Sequence, residues 1–284
     1  MTKAVVLGGG GLAGIAWELG VLQGLADHGL SVSDAGLVVG TSAGATVGAQ
    51  ITSGRSLQAL YDDQVDPPAH SVERMVDIDL PLLARIFAEL ADAAPGLERT
   101  AALARVGSMA LSVSTPSQAE RRAIIASRIP SDDWPSVRLI ITAVDARTGS
   151  FVPFDRYGGV GLVDAVTASS AVPGVWPPVA IGTRRFIDGG MRSPTNADLA
   201  SGCQQVLVLA PMTSVLVDQE VALLHRAGAT VRVITPDQHS QQAFGTNPLD
   251  PSCKSASALA GRVQGASIVD QIKPFWHTAP ARRG

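Results

Sequence analysis

The 284-residue sequence has little sulfur: two cysteines, Cys203 and Cys253, in unlike contexts and without metal-ligand spacing. That excludes a disulfide framework and a cysteine-based metal site, and it suits a reducing compartment. No stretch of 18 apolar residues occurs, so no transmembrane helix is expected. Aromatic residues make up only 4%, which leaves the core to Ala, Val, Leu and Gly. Charge of one sign is also lacking: 22 basic and 25 acidic residues leave a net charge of −3. Nothing there calls for a nucleic-acid partner. The first residues read directly into a strand, with no apolar signal region and no cleavage site. These absences predict a cytoplasmic protein, with contact at a membrane surface left open and oligomeric state undetermined.

What is present is apolar and regular. Hydrophobic residues make up 46% of the chain, enough for one large α/β domain. Lys3 to Leu7 reads as a strand, followed by a glycine loop and a helix from Ile15 to His28. A second apolar run, Leu37 to Val39, leads into small residues at helical spacing. Two strand–loop–helix units in succession predict a largely parallel sheet flanked by helices on both faces. From about 55 to 135 no strand is evident. Helices are expected at Asp77–Ala94, Leu97–Val113 and Ser117–Ile129, as a helical insertion in a single domain spanning 1–284. Strands resume at Arg138–Ala143, Ser150–Phe154, Arg184–Ile187, Gln205–Leu209 and Thr230–Ile234. Helices are expected at Val160–Ala171, Val215–Ala227 and Ser255–Ile272, with a frayed tail after about residue 273.

Three stretches carry chemistry. Gly40, Ser42 and Gly44 form a Gly-x-Ser-x-Gly turn between strand and helix, which lifts the serine hydroxyl above the sheet edge. A serine in a glycine-rich turn can also be a simple helix cap. The second stretch is the loop Gly8 to Gly14. Gly9, Gly11 and Gly14 fit a dinucleotide fingerprint, but the acidic residue due at the end of the second strand is missing, because Asp34 lies before that strand. The other readings are an oxyanion hole of backbone amides and a plain turn. The third stretch is Asp188-Gly189-Gly190, at the end of a short strand. Taken alone it is an ordinary aspartate turn. A serine nucleophile needs a base, however, and none of the histidines at 28, 70, 225, 239 and 277 stands in a triad-like context. A Ser–Asp pair therefore enters consideration.

Taken in order, these three stretches resemble the patatin-like phospholipase family. Thr142 to Gly149 and Ala168 to Pro178 resemble further blocks of it, so the likeness covers roughly residues 3–50 and 137–200. The resemblance implies a lipid acyl hydrolase working through an acyl-enzyme, with Ser42 as nucleophile and Asp188 as its base. It implies an oxyanion hole at Gly9, Gly10 and Gly11, with Gly14, Gly40, Gly44, Gly189 and Gly190 as motif glycines. No metal or organic cofactor is implied, and the partner is a lipid or other acyl-ester substrate. One departure is visible. The family's loop usually carries Arg or Lys before its final glycine, and here Ala13 stands there, so a simpler acyl ester competes with a phospholipid. Acyl transfer to an acceptor other than water and non-catalytic acyl-lipid binding are the alternatives. In the insertion, Leu80, Leu83, Phe87 and Leu90, widened by Leu82 and Ile86, form one apolar stripe, and Ala102, Val106, Met109 and Val113 form another. Either both pack on the core, or one covers the Ser42 cleft as a lid.

Overall fold

Strand β1 (Lys3–Leu7) is apolar on both faces because it lies in the middle of a sheet covered on both sides. The computed structural model describes residues 3–66, 72–73, 75 and 78–277. After β1 come α1 (Gly11–Asp27), β2 (Leu37–Gly40), α2 (Ala43–Ile51), α3 (Leu57–Val65), α4 (Leu80–Ala91), α5 (Leu97–Ser112) and α6 (Gln118–Arg128). The chain continues through β3 (Arg138–Asp145), β4 (Phe151–Phe154), α7 (Leu162–Ser169), β5 (Val179–Ile181), β6 (Arg184–Asp188) and β7 (Gln205–Leu209). It ends with α8 (Val215–Arg226), β8 (Thr230–Ile234), α9 (Gln238–Phe244) and α10 (Lys254–His277). The sheet order is β5-β6-β3-β2-β1-β7-β8, with β4 paired to β3. Strands β3, β2, β1, β7 and β8 are mutually parallel, while β4, β5 and β6 are joined by antiparallel ladders.

Alternation along the strands divides the core. Val5 and Leu7 face α1, α2, α7 and α10, whereas Ala4 and Val6 face α8 and a 3-10 turn at Ala197–Ala200. Helices α1 and α10 cross with almost no space between backbones. A Cβ added at Gly24 would sit 2.1 Å from Arg262 O, and one at Gly265 would sit 2.3 Å from Val21 O.

The pairing of β3 positions the site. Ile141 pairs with Gly40 of β2 and with Phe154 of β4, so β2 and β4 lie on opposite edges. Ala143 pairs with Val152 of β4 and with Asp188 of β6, so β6 shares the β2 edge. Strand β2 runs parallel to β3 and β6 antiparallel. Their C-terminal ends therefore meet head-on beside Thr142.

Several expectations are corrected. Helix α1 begins at Gly11, so the end of the glycine loop is already its first turn. Strand β5 and helices α3 and α9 were not expected. Nor is the chain frayed from residue 273: α10 runs through Pro274 to His277, with Phe275 and Trp276 buried and Trp276 Nε1 donating to Asp34 Oδ1 at 2.8 Å. In the insertion, Leu82, Ile86 and Leu90 pack with Ala102, Val106 and Ala110 against Val144 and Ile187 of the sheet. Phe87 is 51% exposed and lies outside that cluster. No helix among the described residues is long and apolar enough to cross a membrane.

Candidate active site

Ser42 joins β2 to α2 with φ 55° and ψ −110°, a left-handed conformation unusual for a side-chain-bearing residue. The glycines around it make this turn possible by close approach. A Cβ at Gly44 would lie 2.1 Å from Leu7 O, and one at Gly40 would lie 2.5 Å from Gly44 O. Both flanks of the strained residue are pinned. Ser42 N donates to Ser169 Oγ at 2.9 Å, and Ser170 Oγ donates to Ser42 O at 3.3 Å.

The head-on meeting of β2 and β6 brings Asp188 to this turn. Ser42 Oγ donates to Asp188 Oδ2 at 2.7 Å, and Gly190 N donates to Asp188 Oδ1 at 2.7 Å. Asp188 is 2% exposed. Burial disfavours its charged form and pushes its pKa up to about 6. The hydrogen bonds from Ser42 and Gly190 and the positive charge of Arg121 oppose that shift only in part.

The glycine loop runs alongside: a Cβ at Gly9 would sit 3.5 Å from Ser42 Cβ. The loop does not offer all its amides. Gly9 N donates to Pro194 O at 2.8 Å, which removes Gly9 from the expected set of oxyanion donors. Gly10 N and Gly11 N have no acceptor among the described residues, as befits the N-terminus of α1. Gly11 has φ +64°, and a side chain there would strike Pro248 O at 2.7 Å. Ala43 N, first in α2, is likewise without a protein acceptor, and the sequence reading did not single it out. Beneath the loop, buried Glu18 accepts from Gly8 N at 2.8 Å, and burial holds its carboxyl well above the usual range.

A model of the patatin-like phospholipase family matches residues 5–201, from β1 through the turn after β6. The chain belongs to the patatin-like phospholipase family. Membership places it among lipid hydrolases, with lipid esters as the substrate class. Two solved structures are similar at low identity. VipD from Legionella pneumophila is 12% identical with a TM-score of 0.47, over 95% of this chain and 67% of that one. The type III effector protein ExoU is 16% identical with a TM-score of 0.42, over 95% of this chain and 53% of that one. A search of curated proteins found no match.

In this patatin-like chain the cleft at Ser42 is walled by Leu12, Ile15, Val172, Trp176 and Leu249, with Glu73, Arg121 and Arg128 as its charged lining. Its volume is about 50 Å³, room for a few waters and well short of ligand-sized pockets of about 300 Å³ and more. Among the described residues that line the cleft none is a histidine and none comes from α4 or α5; the stripes of the insertion pack on the core, the first of the two readings. Among the described residues no group of three or more His, Cys, Asp or Glu could hold a metal ion. The expected Ser42, Asp188, Gly10 and Gly11 converge here, whereas His70 lies outside the described residues. Unforeseen neighbours are Ser169, Ser170, Pro194 and Arg121. Asn196 is another: it has φ 51°, and its Nδ2 donates to Thr41 Oγ1 at 3.0 Å and to Gly189 O at 3.2 Å. It thereby ties the serine turn to the aspartate turn.

Proposed function

We propose that the protein hydrolyses lipid acyl esters with Ser42 as nucleophile, Asp188 as the sole protein base and the amides of Gly10 and Gly11 as oxyanion donors. The observation that carries this reading is the 2.7 Å bond from Ser42 Oγ to buried Asp188 Oδ2, in a cleft with no histidine among its described lining residues. As Oγ attacks the ester carbonyl, its proton passes to Asp188 Oδ2. The carbonyl oxygen becomes an oxyanion at the start of α1, where free amides and the helix dipole favour negative charge. Collapse breaks the ester C–O bond, and the proton on Asp188 goes to the departing alkoxide. Water then attacks the acyl-serine, gives a proton to Asp188, and the serine leaves with that proton restored.

The test is a fluorophosphonate probe together with a panel of esters and phospholipids. The wild-type protein should be labelled and should turn over esters, and Ser42→Ala should abolish labelling and lower kcat by up to roughly 10⁶-fold. Labelling without turnover would favour acyl transfer, scored by adding an alcohol acceptor. Neither labelling nor turnover would leave a lipid-binding protein.

A further inference from the structure

We propose that a second cavity, at the N-terminal end of β2, binds one alkyl carboxylate, with its chain inside the cavity and its head on Arg55. The inference does not rest on the Ser–Asp reading. This cavity shares no lining residue with the Ser42 cleft and lies at the opposite end of β2.

The cavity measures about 440 Å³, against about 50 Å³ at Ser42, and falls in the range of ligand pockets. It opens where the loop from α1 to β2 stands away from the turn after α2 and from the residues leading into β3. Its floor is Leu22, Leu30 and Val38, each at most 3% exposed and part of the main core. Its sides are the half-buried Ile51, Leu57 and Val137. Aliphatic side chains left half-covered around an open volume gain free energy when an apolar ligand displaces the water. At about 30 Å³ for a group the size of a water or a methylene, there is room for roughly a dozen carbons.

The rim selects the head group. Arg55 is the one ionisable residue among the described lining. Its Nη1 donates to Asp63 Oδ2 at 2.8 Å. Nε and Nη2 have no acceptor among the described residues, and they form the guanidinium edge that meets a carboxylate with two parallel bonds. Ser33 and Ser136 add hydroxyls beside it; Ser33 Oγ accepts from Ser31 Oγ at 2.9 Å. The other charges close by are turned elsewhere. Asp34 accepts from Lys3 Nζ and Trp276 Nε1, and Arg138 pairs with Leu37, whose side chain belongs to the core on the other face of the sheet. Because Asp63 already shares the Arg55 cation, a single negative charge is the most this rim can offset. A peptide is a poor fit, since β2 and β3 are both paired along both edges and offer no strand edge to extend.

Calorimetric titration of the wild-type protein with hexanoate, octanoate and decanoate tests this. Decanoate should bind at one site, and affinity should rise about 3- to 4-fold per added methylene along the series. Arg55→Met should lower the affinity for octanoate about 10-fold and leave that for 1-octanol unchanged, with Arg55→Lys in between. The Arg55–Asp63 pair is exposed and contributes little to stability, so these variants should fold. Ser136→Trp, at the rim, should shut out both ligands. No saturable binding of decanoate, or an affinity independent of chain length, overturns the proposal. So does an octanoate loss no larger than the 1-octanol loss in Arg55→Met, which would leave an apolar crevice without a head-group site. Octanoate binding that survives both Arg55→Met and Ser136→Trp would place the acid elsewhere, the Ser42 cleft included, and also overturn it. Ester turnover enters none of these readouts, so a failure of the Ser–Asp reading is told apart from a failure of this one.

Discussion

Asp188 is asked to be both buried and basic, and the two demands pull against each other. A carboxylate with a pKa near 6 is a better proton acceptor than an ordinary one. On the proposed mechanism, kcat/KM should rise with pH through about 6 and level off above it, and Asp188→Asn should remove nearly all activity at every pH. The same shift makes the ionised residue a liability for folding. Its folded-state pKa is raised above the ordinary 3.8, so its favourable contribution is present in full below about pH 4 and lost as pH rises through 6. Asp188→Asn should therefore raise the unfolding free energy at pH 8 by roughly 2–3 kcal/mol, and the advantage should vanish below pH 4. Denaturant titrations at the two pH values check this. An advantage that persists at acid pH would show that burial is not its cause. Ser42 was legible in the sequence because its turn is a local motif that its geometry requires, whereas Asp188, by itself an ordinary aspartate turn, was legible only from the ordered set of three stretches and the resemblance it carries. Gly9 was misjudged because its amide is claimed by Pro194 O, an acceptor from a distant stretch of chain. Arg121 was invisible for the same reason: in the sequence it is one arginine of an amphipathic helix, and only the docking of α6 turns it toward the cleft.

The pairing of α1 with α10 went unread although its glycines are plain in the sequence. Gly20 and Gly24 stand one turn apart on α1, as Gly261 and Gly265 do on α10, but nothing in either helix says that it will meet the other. Gly24→Ala should force the backbones apart and cost about 1–3 kcal/mol. Gly158→Ala, where the nearest atom would be Asp155 O at 3.6 Å, should stay within about 0.5 kcal/mol of wild type. Thermal unfolding of the two variants makes the comparison. The insertion helices were legible as helices, and their stripes as apolar, but the partner of each stripe was not. Ile86 is fully buried against the sheet, and Phe87, its neighbour in sequence, looks outward. Ile86→Ser should lower the melting temperature sharply, whereas Phe87→Ser should leave both stability and chain-length preference unchanged. A Phe87→Ser enzyme that lost its response to aggregated substrate would return the lid reading to this helix.

At the scale of the whole molecule, the parallel sheet could be read from repeated strand–loop–helix units, since each unit is local. Its antiparallel end was only half legible: β4 and β6 were expected, but β5 and the placing of β6 on the β2 edge depend on tertiary pairing. The end of the chain belongs to the same class. Trp276 was assigned to a frayed tail, yet it is fully buried in the main core, with its ring N–H donating to the exposed Asp34. Trp276→Ala should cost about 3–5 kcal/mol, measured by denaturant unfolding. The meeting of β2 and β6 along one edge of β3 also has a bearing on how the protein is made. Ser42 precedes its partner by 146 residues. At ~5–20 residues per second, the ribosome delivers the serine roughly 7–30 s before the aspartate. Throughout that interval the nascent polypeptide has an elbow but no base. On the proposed mechanism it is chemically silent toward the lipids around it, and any product of interrupted translation that stops short of Asp188 is as harmless to its host's own membranes.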